Sequence, residues 1–287
     1  MSDEEYGLLD LENADGFGDE WEEVDVADTE ADRIARKRDR KFLEFRKRIK
    51  NSERLKVDDS VFDDATYAAI YKLVQDGHIE AFGGPVSTGK EAAVYTALGA
   101  EHTVAVKVYA ISASDFKQMR DYLDGDPRFE GIGNDKRKVV MAWVRKEFAN
   151  LKRAKEAGVR VPDPIAVERN VLVMEFVGSD EGQRGHRLAE VDIENPETAY
   201  EVVREYTRRL YDAGLVHGDL SEYNIVVHEG ELVVIDLGQA VTVHHPNSRE
   251  FLERDCRNVA NFFARQGVDT SGEQLLEYVT SEADPDP

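Results

Sequence analysis

Hydrophobic and polar positions repeat in two different ways along the chain. Short runs bounded by glycine and proline predict five strands before residue 177, over 78–82, 92–98, 103–109, 164–168 and 171–176. Helical spacing predicts one helix that starts at the Asp63-Asp64 cap and ends at Gly77, and later helices over 139–157, 197–213 and from 248 onward. A hairpin is predicted at 225–235. With strands first and helices afterwards, the pattern predicts a two-lobed α+β fold.

Charge is distributed very unevenly. The 287 residues carry a net charge of −22, and residues 1–30 contain 13 acidic and no basic side chains, whereas residues 31–56 contain 12 basic and 4 acidic ones. We expect 1–30 to be a disordered acidic tail and 31–56 to form a basic amphipathic helix. That helix either packs as a solvated element on the body or binds an anionic partner such as RNA. The acidic body is typical of a halophilic protein in a high-salt cytoplasm, and acidic binding faces would give the same composition.

The composition excludes several classes of protein. A single cysteine, Cys256, rules out a disulfide scaffold, and with seven scattered histidines it supplies no structural zinc cluster. No run approaches the roughly 18 apolar residues of a membrane span, and the acidic N-terminus lacks the pattern of a signal peptide. We therefore expect a cytoplasmic protein without a membrane partner. The sequence predicts no particular oligomeric state.

The first chemical signal is a glycine-rich segment. Gly84 to Lys90 fits the G-x-x-x-x-G-K core of a P-loop, in which backbone N–H groups hold phosphates. Glu91 stands where a P-loop needs a Ser or Thr hydroxyl for Mg²⁺, and the segment lies between two predicted strands instead of opening a helix. A P-loop NTPase is therefore disfavoured. A loop that covers phosphates and an ordinary hairpin turn remain as interpretations.

Three further features occur in the order that one phosphoryl-transfer site requires. Lys107 lies inside an apolar strand, where a buried ammonium needs a partner, and Glu147 on the following helix is the natural one. An H-x-D-L-x-x-x-N motif lets Asp219 face a substrate hydroxyl while the amide oxygen of Asn224 binds Mg²⁺. Asp236 ends a predicted strand in Asp-x-Gly and presents a carboxylate to the same metal. A snorkelling surface lysine and a chance pair of turn carboxylates are the alternatives.

On these residues the chain resembles the RIO atypical protein kinases, and among them the type-1 branch in its archaeal form. The most specific segments are 87–92, 114–116, 126–129, 146–148, 217–224, 245–246, 250–252 and 254–256. The resemblance implies a trimmed protein-kinase fold with an N-terminal helical extension, which binds ATP and Mg²⁺ between its lobes. It also implies a serine/threonine kinase or ATPase that acts in maturation of the small ribosomal subunit. The pre-ribosomal small subunit, through its protein and rRNA, would be the partner, and no particular protein substrate is implied.

The resemblance also assigns roles to individual residues. It places the cofactor-binding groups at Ser87, Gly89, Lys90, Lys107, Glu175 and Val177. Among these, Lys107 would bind the α- and β-phosphates while Glu147 holds it, and Glu175 and Val177 would offer backbone groups to adenine. Asp219 would be the general base or hydroxyl acceptor. The metal ligands would be Asn224 and Asp236.

Departures from ordinary protein kinases narrow the predicted function. Gly218 replaces the Arg of H-R-D, and no Ala-Pro-Glu follows Asp236, so control by activation-loop phosphorylation is disfavoured. The short stretch after Asp236 argues against strong peptide specificity. The same features suit a slow ATPase with an aspartyl-phosphate on Asp236. A small-molecule kinase of the aminoglycoside-phosphotransferase type and a non-catalytic ATP-binding assembly factor are the alternatives.

Together the signals predict five segments. They are a disordered acidic tail (1–30), an N-terminal helical extension (31–77), a kinase N-lobe with an insert (78–177, insert 112–138), a kinase C-lobe (178–280) and an acidic C-terminal tail (281–287). The insert is polar and looks helical. We expect the catalytic residues to meet between the two lobes.

Overall fold

The computed structural model describes residues 40–44, 62–112, 114–123, 126–129, 131–133, 135–179 and 182–281. The predicted acidic tail, most of the predicted basic helix and all but the first residue of the C-terminal tail lie outside these ranges; residues 40–44 are helical. The chain divides into two units, Met1–Lys41 and Phe42–Pro287, and the second contains every element named below. No helix in the described ranges is long and apolar enough to cross a lipid bilayer.

The first lobe is an antiparallel sheet with one helix packed on it. Helix α1 (Asp64–Gln75) begins where the Asp63 side chain accepts the backbone N–H of Thr66 at 2.7 Å, so the predicted cap is confirmed. The strands are β1 (Ala81–Thr88), β2 (Ala92–Leu98), β3 (Thr103–Tyr109), β4 (Pro164–Glu168) and β5 (Val171–Glu175), in the sheet order β1-β2-β3-β5-β4. The last four agree with the predicted strands to within one residue.

The prediction of a strand at 78–82 and a loop from Gly84 to Lys90 is wrong. β1 starts at Ala81, runs through the glycines and pairs with β2 as far as Thr88 opposite Ala93, and the chain turns only at residues 89–91. The register shifts on both sides of Pro85, and Gly83 lies so close to Thr96 that any Cβ at residue 83 would clash with its side chain. The glycines therefore mark an irregular strand, which sequence reasoning mistook for a turn.

The predicted insert contains helix α2 (Phe116–Leu123) and a 3₁₀ turn (Pro127–Phe129), and it ends earlier than predicted. Helix α3 (Lys136–Glu156) begins three residues before the predicted helix, because the Asp135 side chain accepts the backbone N–H groups of Arg137 at 2.8 Å and Lys138 at 3.4 Å. This cap was missed because the first turn of α3 is basic and carries no apolar signal.

The second lobe is mostly helical. Its helices are α4 (Pro196–Asp212), α5 (Ser248–Arg265) and α6 (Gly272–Thr280). Its short strands are β6 (His186–Arg187), β7 (Leu215–Val216), β8 (Ile225–His228), β9 (Glu231–Val234) and β10 (Val241–Thr242). β8 and β9 form the predicted hairpin, with β6 beside β8, and β7 pairs with β10. The predicted two-lobed α+β fold is confirmed.

The buried apolar side chains form two clusters. The smaller lies between α1 and the sheet and includes Ile70, Tyr95 and Val106. The larger contains the second-lobe helices, and it also takes in the inner face of α3, including Trp143 and Leu151. Helix α3 thus shares its core with the second lobe, although it precedes β4 and β5 of the first lobe in the chain.

Candidate active site

A cleft of about 430 Å³ lies between the lobes, within the usual size range of ligand pockets. Eight of the ten predicted site residues line it: Ser87, Gly89, Lys90, Lys107, Glu175, Val177, Asn224 and Asp236. The other two, Glu147 and Asp219, each lie one hydrogen bond behind a lining residue. The fold therefore brings together side chains from β1, β3, α3, the segment after β5 and the two loops that flank the β8–β9 hairpin.

Lys107 joins the two lobes. Its Nζ lies 2.6 Å from Glu147 Oε1 and 3.0 Å from Asp236 Oδ1. Glu147 is almost completely buried on α3, and its second carboxylate oxygen accepts a hydrogen bond from the Tyr109 hydroxyl. Burial would lower the pKa of Lys107, but the carboxylates of Asp236 and Glu147 outweigh it and raise this pKa well above its usual value. Lys107 is therefore a fixed cation at the cleft wall.

Asp236 occupies an unusual backbone position directly after β9. Its φ is +64°, in the left-handed region that residues other than glycine rarely adopt. Its side chain is 50% exposed, open to the cleft. The charge of Lys107 lowers the pKa of Asp236 below its usual value, so the carboxylate is ionised at neutral pH. A strained residue that presents an ionised carboxylate to a cleft is typical of a functional site.

The H-x-D-L-x-x-x-N motif forms a tight loop between β7 and β8. The Asn224 amide nitrogen donates to the Asp219 backbone carbonyl at 2.8 Å and to Asp219 Oδ2 at 3.1 Å. The backbone N–H of Ile235 donates to the Asn224 carbonyl at 2.9 Å, which ties this loop to the end of β9. Because the nitrogen of the Asn224 amide faces Asp219, its oxygen is the atom left for a ligand in the cleft.

His217 links the same two segments as a neutral imidazole. Its Nδ1 accepts the backbone N–H of Asp219 at 3.3 Å, so the ring proton resides on Nε2, which donates to the Ile235 carbonyl at 3.1 Å. Burial lowers the pKa of His217. The neighbouring Gly218 has a φ of +79°, and a Cβ there would lie 2.9 Å from the Gln239 carbonyl oxygen. This geometry explains why glycine replaces the arginine of H-R-D.

Asp255 on α5 supports the loop that carries Asp219, and the sequence did not predict this contact. It is 1% exposed, and its two carboxylate oxygens accept the backbone N–H groups of Gly218 at 2.7 Å and Leu220 at 2.8 Å, on either side of Asp219. Burial raises the pKa of Asp255 to about 7. A signal was available in the sequence, because Asp255 falls at helical spacing between Leu252 and Val259 on the apolar face of α5.

The segment after β5 offers one acceptor and one donor to the cleft. The backbone N–H of Glu175 donates to Asp163 and the carbonyl of Val177 accepts from Gly185, so Glu175 has its carbonyl to offer and Val177 its N–H. Such an alternation matches the amino group and ring nitrogen on the edge of adenine. Arg160 was not predicted: its guanidinium holds the Glu175 carboxylate at 2.6 and 2.8 Å. No pattern in the sequence pointed to it.

The phosphate-loop residues lie at the open end of the cleft. Ser87, Gly89 and Lys90 are exposed, and Glu91 after them is partly buried. Burial raises the pKa of Glu91, and the negative charge of Asp115 adds to the shift. Glu91 also lines the cleft, but its carboxylate would repel a phosphate, so the exposed residues Ser87, Gly89 and Lys90 are the ones accessible to a phosphate group.

The site fits a magnesium ion. Asp236 supplies an ionised, cleft-facing carboxylate and Asn224 an amide oxygen. Both are hard oxygen donors, and Mg²⁺ is commonly held by one or two such protein groups, with phosphates and water completing its shell.

Comparison with known proteins identifies the family that this chain matches. The family model described as the RIO domain matches residues 93–275. A RIO-type serine/threonine-protein kinase Rio1 of Haloferax volcanii is 69% identical over 284 residues, which cover 99% of this chain and 98% of that protein. The Rio1 kinase of Methanocaldococcus jannaschii is 41% identical over 249 residues, or 84% of this chain and 85% of that one. A crystal structure of the Rio2 kinase from Chaetomium thermophilum, an ADP/Mg²⁺-phosphoaspartate complex, aligns with a TM-score of 0.59 at 22% identity, over 77% of this chain and 66% of that chain.

Proposed function

The chain belongs to the RIO family of serine/threonine kinases, and from that premise we propose that it transfers the γ-phosphoryl group of Mg-ATP in the cleft between its lobes. One observation carries the proposal: Lys107 joins Glu147 and Asp236 at 2.6 and 3.0 Å, beside the hydrogen-bonded pair Asp219 and Asn224. These five side chains are the parts that phosphoryl transfer requires, and they meet from both lobes.

Each of these side chains has its own role in binding the nucleotide or the metal. Lys107 holds the α- and β-phosphates, with Glu147 fixing the ammonium, and the exposed N–H groups around Gly89 cover the phosphates. Asn224 and Asp236 hold Mg²⁺, which when bound neutralises the charge that develops on the transferred group. Because Asp236 pairs with Lys107 in the free protein, the phosphates enter between two groups that are already charged and in position.

Asp219 completes the reaction. Its carboxylate accepts the proton of a serine or threonine hydroxyl, whose oxygen bonds to the γ-phosphorus as the bond to the ADP oxygen breaks. The amide of Asn224 and the N–H groups that Asp255 holds fix the loop that carries Asp219. Chemistry of this kind needs positioning more than covalent participation by the protein.

ATP hydrolysis is the second candidate, and the exposure of Asp236 favours it. A half-exposed, ionised carboxylate beside Lys107 is placed to attack the γ-phosphorus, releasing ADP and leaving an acyl phosphate that water then hydrolyses to phosphate. Protein phosphorylation and this route share the nucleotide site. They differ in the acceptor, a protein hydroxyl in one and Asp236 followed by water in the other.

Two substitutions test the assignment. Asp219→Asn is expected to leave ATP affinity almost unchanged and to lower turnover by roughly 10²–10⁴-fold, the usual contribution of general acid–base catalysis. Asp236→Asn is expected to weaken Mg-ATP binding as well. Isothermal calorimetry and steady-state kinetics on both variants give the result. Equal turnover in the wild type and Asp219→Asn would rule out this role, and a phosphate on Asp236 that hydroxylamine or alkali removes would favour hydrolysis.

We further propose that the partner is RNA of the small ribosomal subunit in a salt-rich cytoplasm, and that the outer face of α3 contributes to binding. This helix carries eight basic and two acidic residues in a chain of net charge −22. Lys138, Arg145 and Lys152 repeat every seven residues, so they follow one face at steps of about 10.5 Å. None of the three forms a salt bridge with another described residue, and Lys152 lies 4.9 Å above the Phe148 ring.

The position of the charges on α3 supports a binding role. Its first turn is Lys136, Arg137 and Lys138 with no acid, at the positive end of the helix dipole, where cations are unfavourable. Helix stability therefore does not explain this placement, whereas binding to phosphates does. The basic segment 31–56, which lies almost entirely outside the described residues, has the same sign of charge.

Charge-removal variants test the surface. Arg145→Gln with Lys152→Gln should weaken binding to purified small subunits and reduce the slope of log affinity against log salt by about one for each phosphate that the variant no longer binds. Lys117→Gln with Arg257→Gln removes the same charge from exposed positions elsewhere and serves as the control. Equal salt slopes for the two double variants would show that α3 is not a binding surface.

A further inference from the structure

Two buried polar side chains on α3 bind the backbone that follows Asp236. Lys146 is 0% exposed, and its Nζ donates to the carbonyls of Gly238 at 2.9 Å and Ala240 at 2.5 Å. Asn150 is also 0% exposed, and its amide nitrogen donates to the carbonyls of Leu237 at 3.1 Å and Ala240 at 2.9 Å. Lys146 and Asn150 are one helical turn apart on the same face of α3. Four hydrogen bonds thus fix residues 237–240.

The burial of Lys146 is difficult to explain by stability. The two acids near it, Glu147 and Asp126, pair with Lys107 and Arg128 instead. Burial lowers the pKa of Lys146 to about 7, and its charge is solvated by two carbonyls and by the Trp143 ring at 5.1 Å. An apolar side chain of similar length would avoid this desolvation. What Lys146 provides is a fixed position for the loop that it binds.

Residues 237–240, which these hydrogen bonds hold, directly follow Asp236 in the chain. Asp236 has a left-handed φ, so its carboxylate keeps its direction only while the flanking backbone is held. Gly238 also packs on Trp143 of α3, where a Cβ would lie 3.0 Å from the indole nitrogen. The position of the Asp236 carboxylate therefore depends on contacts made by α3.

The insert extends this network to the surface. The Arg128 guanidinium donates to Asn150 Oδ1 at 3.2 Å and to Asp126 Oδ2 at 2.7 Å. Asp126 is 2% exposed, whereas the Arg128 side chain is 35% exposed. By binding the oxygen of the Asn150 amide, Arg128 holds its nitrogen toward residues 237 and 240. A chain of contacts thus leads from the 3₁₀ turn of the insert to the loop that carries Asp236.

We propose that Lys146, Asn150 and Arg128 are positioning residues that set the Asp236 carboxylate for Mg²⁺, so that the insert is energetically coupled to the metal site. The proposal rests on the proposed function, in which Asp236 is a metal ligand. Supporting contacts of this kind usually change metal affinity by about 10–100-fold when they are removed. Arg128 is the most informative of the three, because it touches neither the nucleotide cleft nor the loop itself.

The test measures how much Mg²⁺ strengthens ADP binding. ADP affinity is determined by calorimetry in EDTA and in a series of Mg²⁺ concentrations, for the wild type, Arg128→Met, Asn150→Asp and the control Lys117→Met, an exposed residue on α2. We expect Arg128→Met and Asn150→Asp to shift the Mg²⁺ dependence to concentrations about 10-fold higher or more while ADP affinity in EDTA stays unchanged. Arg128→Lys, which keeps one donor, should restore part of the shift.

The variant Asp236→Asn shows whether a negative result concerns the proposed metal site or only its coupling to the insert. If Asp236→Asn leaves the Mg²⁺ dependence unchanged, the proposed metal site itself is wrong. If Asp236→Asn shifts it but Arg128→Met and Asn150→Asp behave like Lys117→Met, the proposed coupling is overturned and the metal site stands. An equal loss of ADP affinity with and without Mg²⁺ in Arg128→Met would also overturn it, because that result indicates general damage to the cleft. Thermal melts identify any variant that fails to fold, and Arg128→Met, at a partly exposed position, keeps the test available.

Discussion

Replacing Asp255 is expected to reduce both stability and turnover while sparing nucleotide affinity. Its carboxylate accepts two buried backbone N–H groups, at 2.7 and 2.8 Å, on either side of Asp219. Asparagine keeps the shape and one acceptor oxygen, but turns an NH₂ group toward the second amide. One buried donor then has no acceptor, which costs about 1–3 kcal/mol. Alanine leaves two such donors and should cost about 2–6 kcal/mol.

The same change should displace the catalytic carboxylate. Asp219 lies between the two amides that Asp255 holds, so a loosened loop moves it relative to the acceptor hydroxyl. A misplacement of about 1 Å can lower the rate by about 10²-fold. Nucleotide affinity should change little, because Asp255 does not line the cleft.

The assay combines urea denaturation with single-turnover kinetics and ADP calorimetry at pH 8. Asp255→Asn is compared with Glu253→Gln, which removes an exposed carboxylate from the same helix. The proposed role of Asp255 is wrong if Asp255→Asn matches Glu253→Gln in both the free energy of unfolding and the rate of the chemical step. A loss of ADP affinity equal to the loss of rate would also contradict it.

Four further predictions concern stability and access. Melting temperature should rise from roughly 0.05 to 3 M KCl, because salt screens the repulsion of a chain at −22, and a flat curve would remove the halophilic interpretation. As pH drops below about 6.5, the unfolded chain protonates a histidine that stays neutral when buried, which lowers the free energy of unfolding, whereas the raised pKa of Asp255 acts in the opposite direction; the difference in free energy of unfolding between wild type and His217→Gln should therefore shift in favour of His217→Gln as pH falls, with the exposed His244→Gln as the matched control. Burial raises the pKa of the Cys256 thiol to about 12, so a thiol reagent should label it only after urea unfolding. Arg160→Met should cost about 1–2 kcal/mol and raise the KM for ATP, whereas Lys155→Met, at an exposed ion pair, should cost less than about 0.5 kcal/mol.

The proposed catalytic side chains are easier to predict from the sequence than the contacts that hold them in place. Asp219, Asn224 and Asp236 stand in motifs with fixed spacing that coincide with a strand end or a turn, and Lys107 stands inside a strand that its apolar neighbours mark. Such patterns are local, so they can be recognised in the sequence without knowledge of the tertiary contacts. The structure brings these residues to one cleft, as expected.

What sequence reasoning missed depends on contacts between distant segments. Gly83 and Gly84 read as a turn, because an irregular strand and a hairpin use the same residue types, and only pairing with β2 separates them. Arg160 and Asn150 make their contacts 15 and 87 residues away, with Glu175 and Leu237, and no local pattern marks such pairs. The supporting role of Asp255 could have been predicted, because a carboxylate on the apolar face of a helix needs a buried hydrogen-bond donor.

The way α3 is packed bears on how this kinase can be turned off. In a switchable kinase the helix that carries the lysine partner rotates outward and breaks the ion pair. Here Trp143, Val144 and Leu151 of α3 belong to the larger apolar cluster, which also contains second-lobe helices. Exposing these three side chains would cost roughly 5 kcal/mol or more, so fewer than about one molecule in a thousand would occupy such an off state. We therefore expect the ion pair between Lys107 and Glu147 to stay formed, and control to act on the entry of nucleotide or on release from a partner.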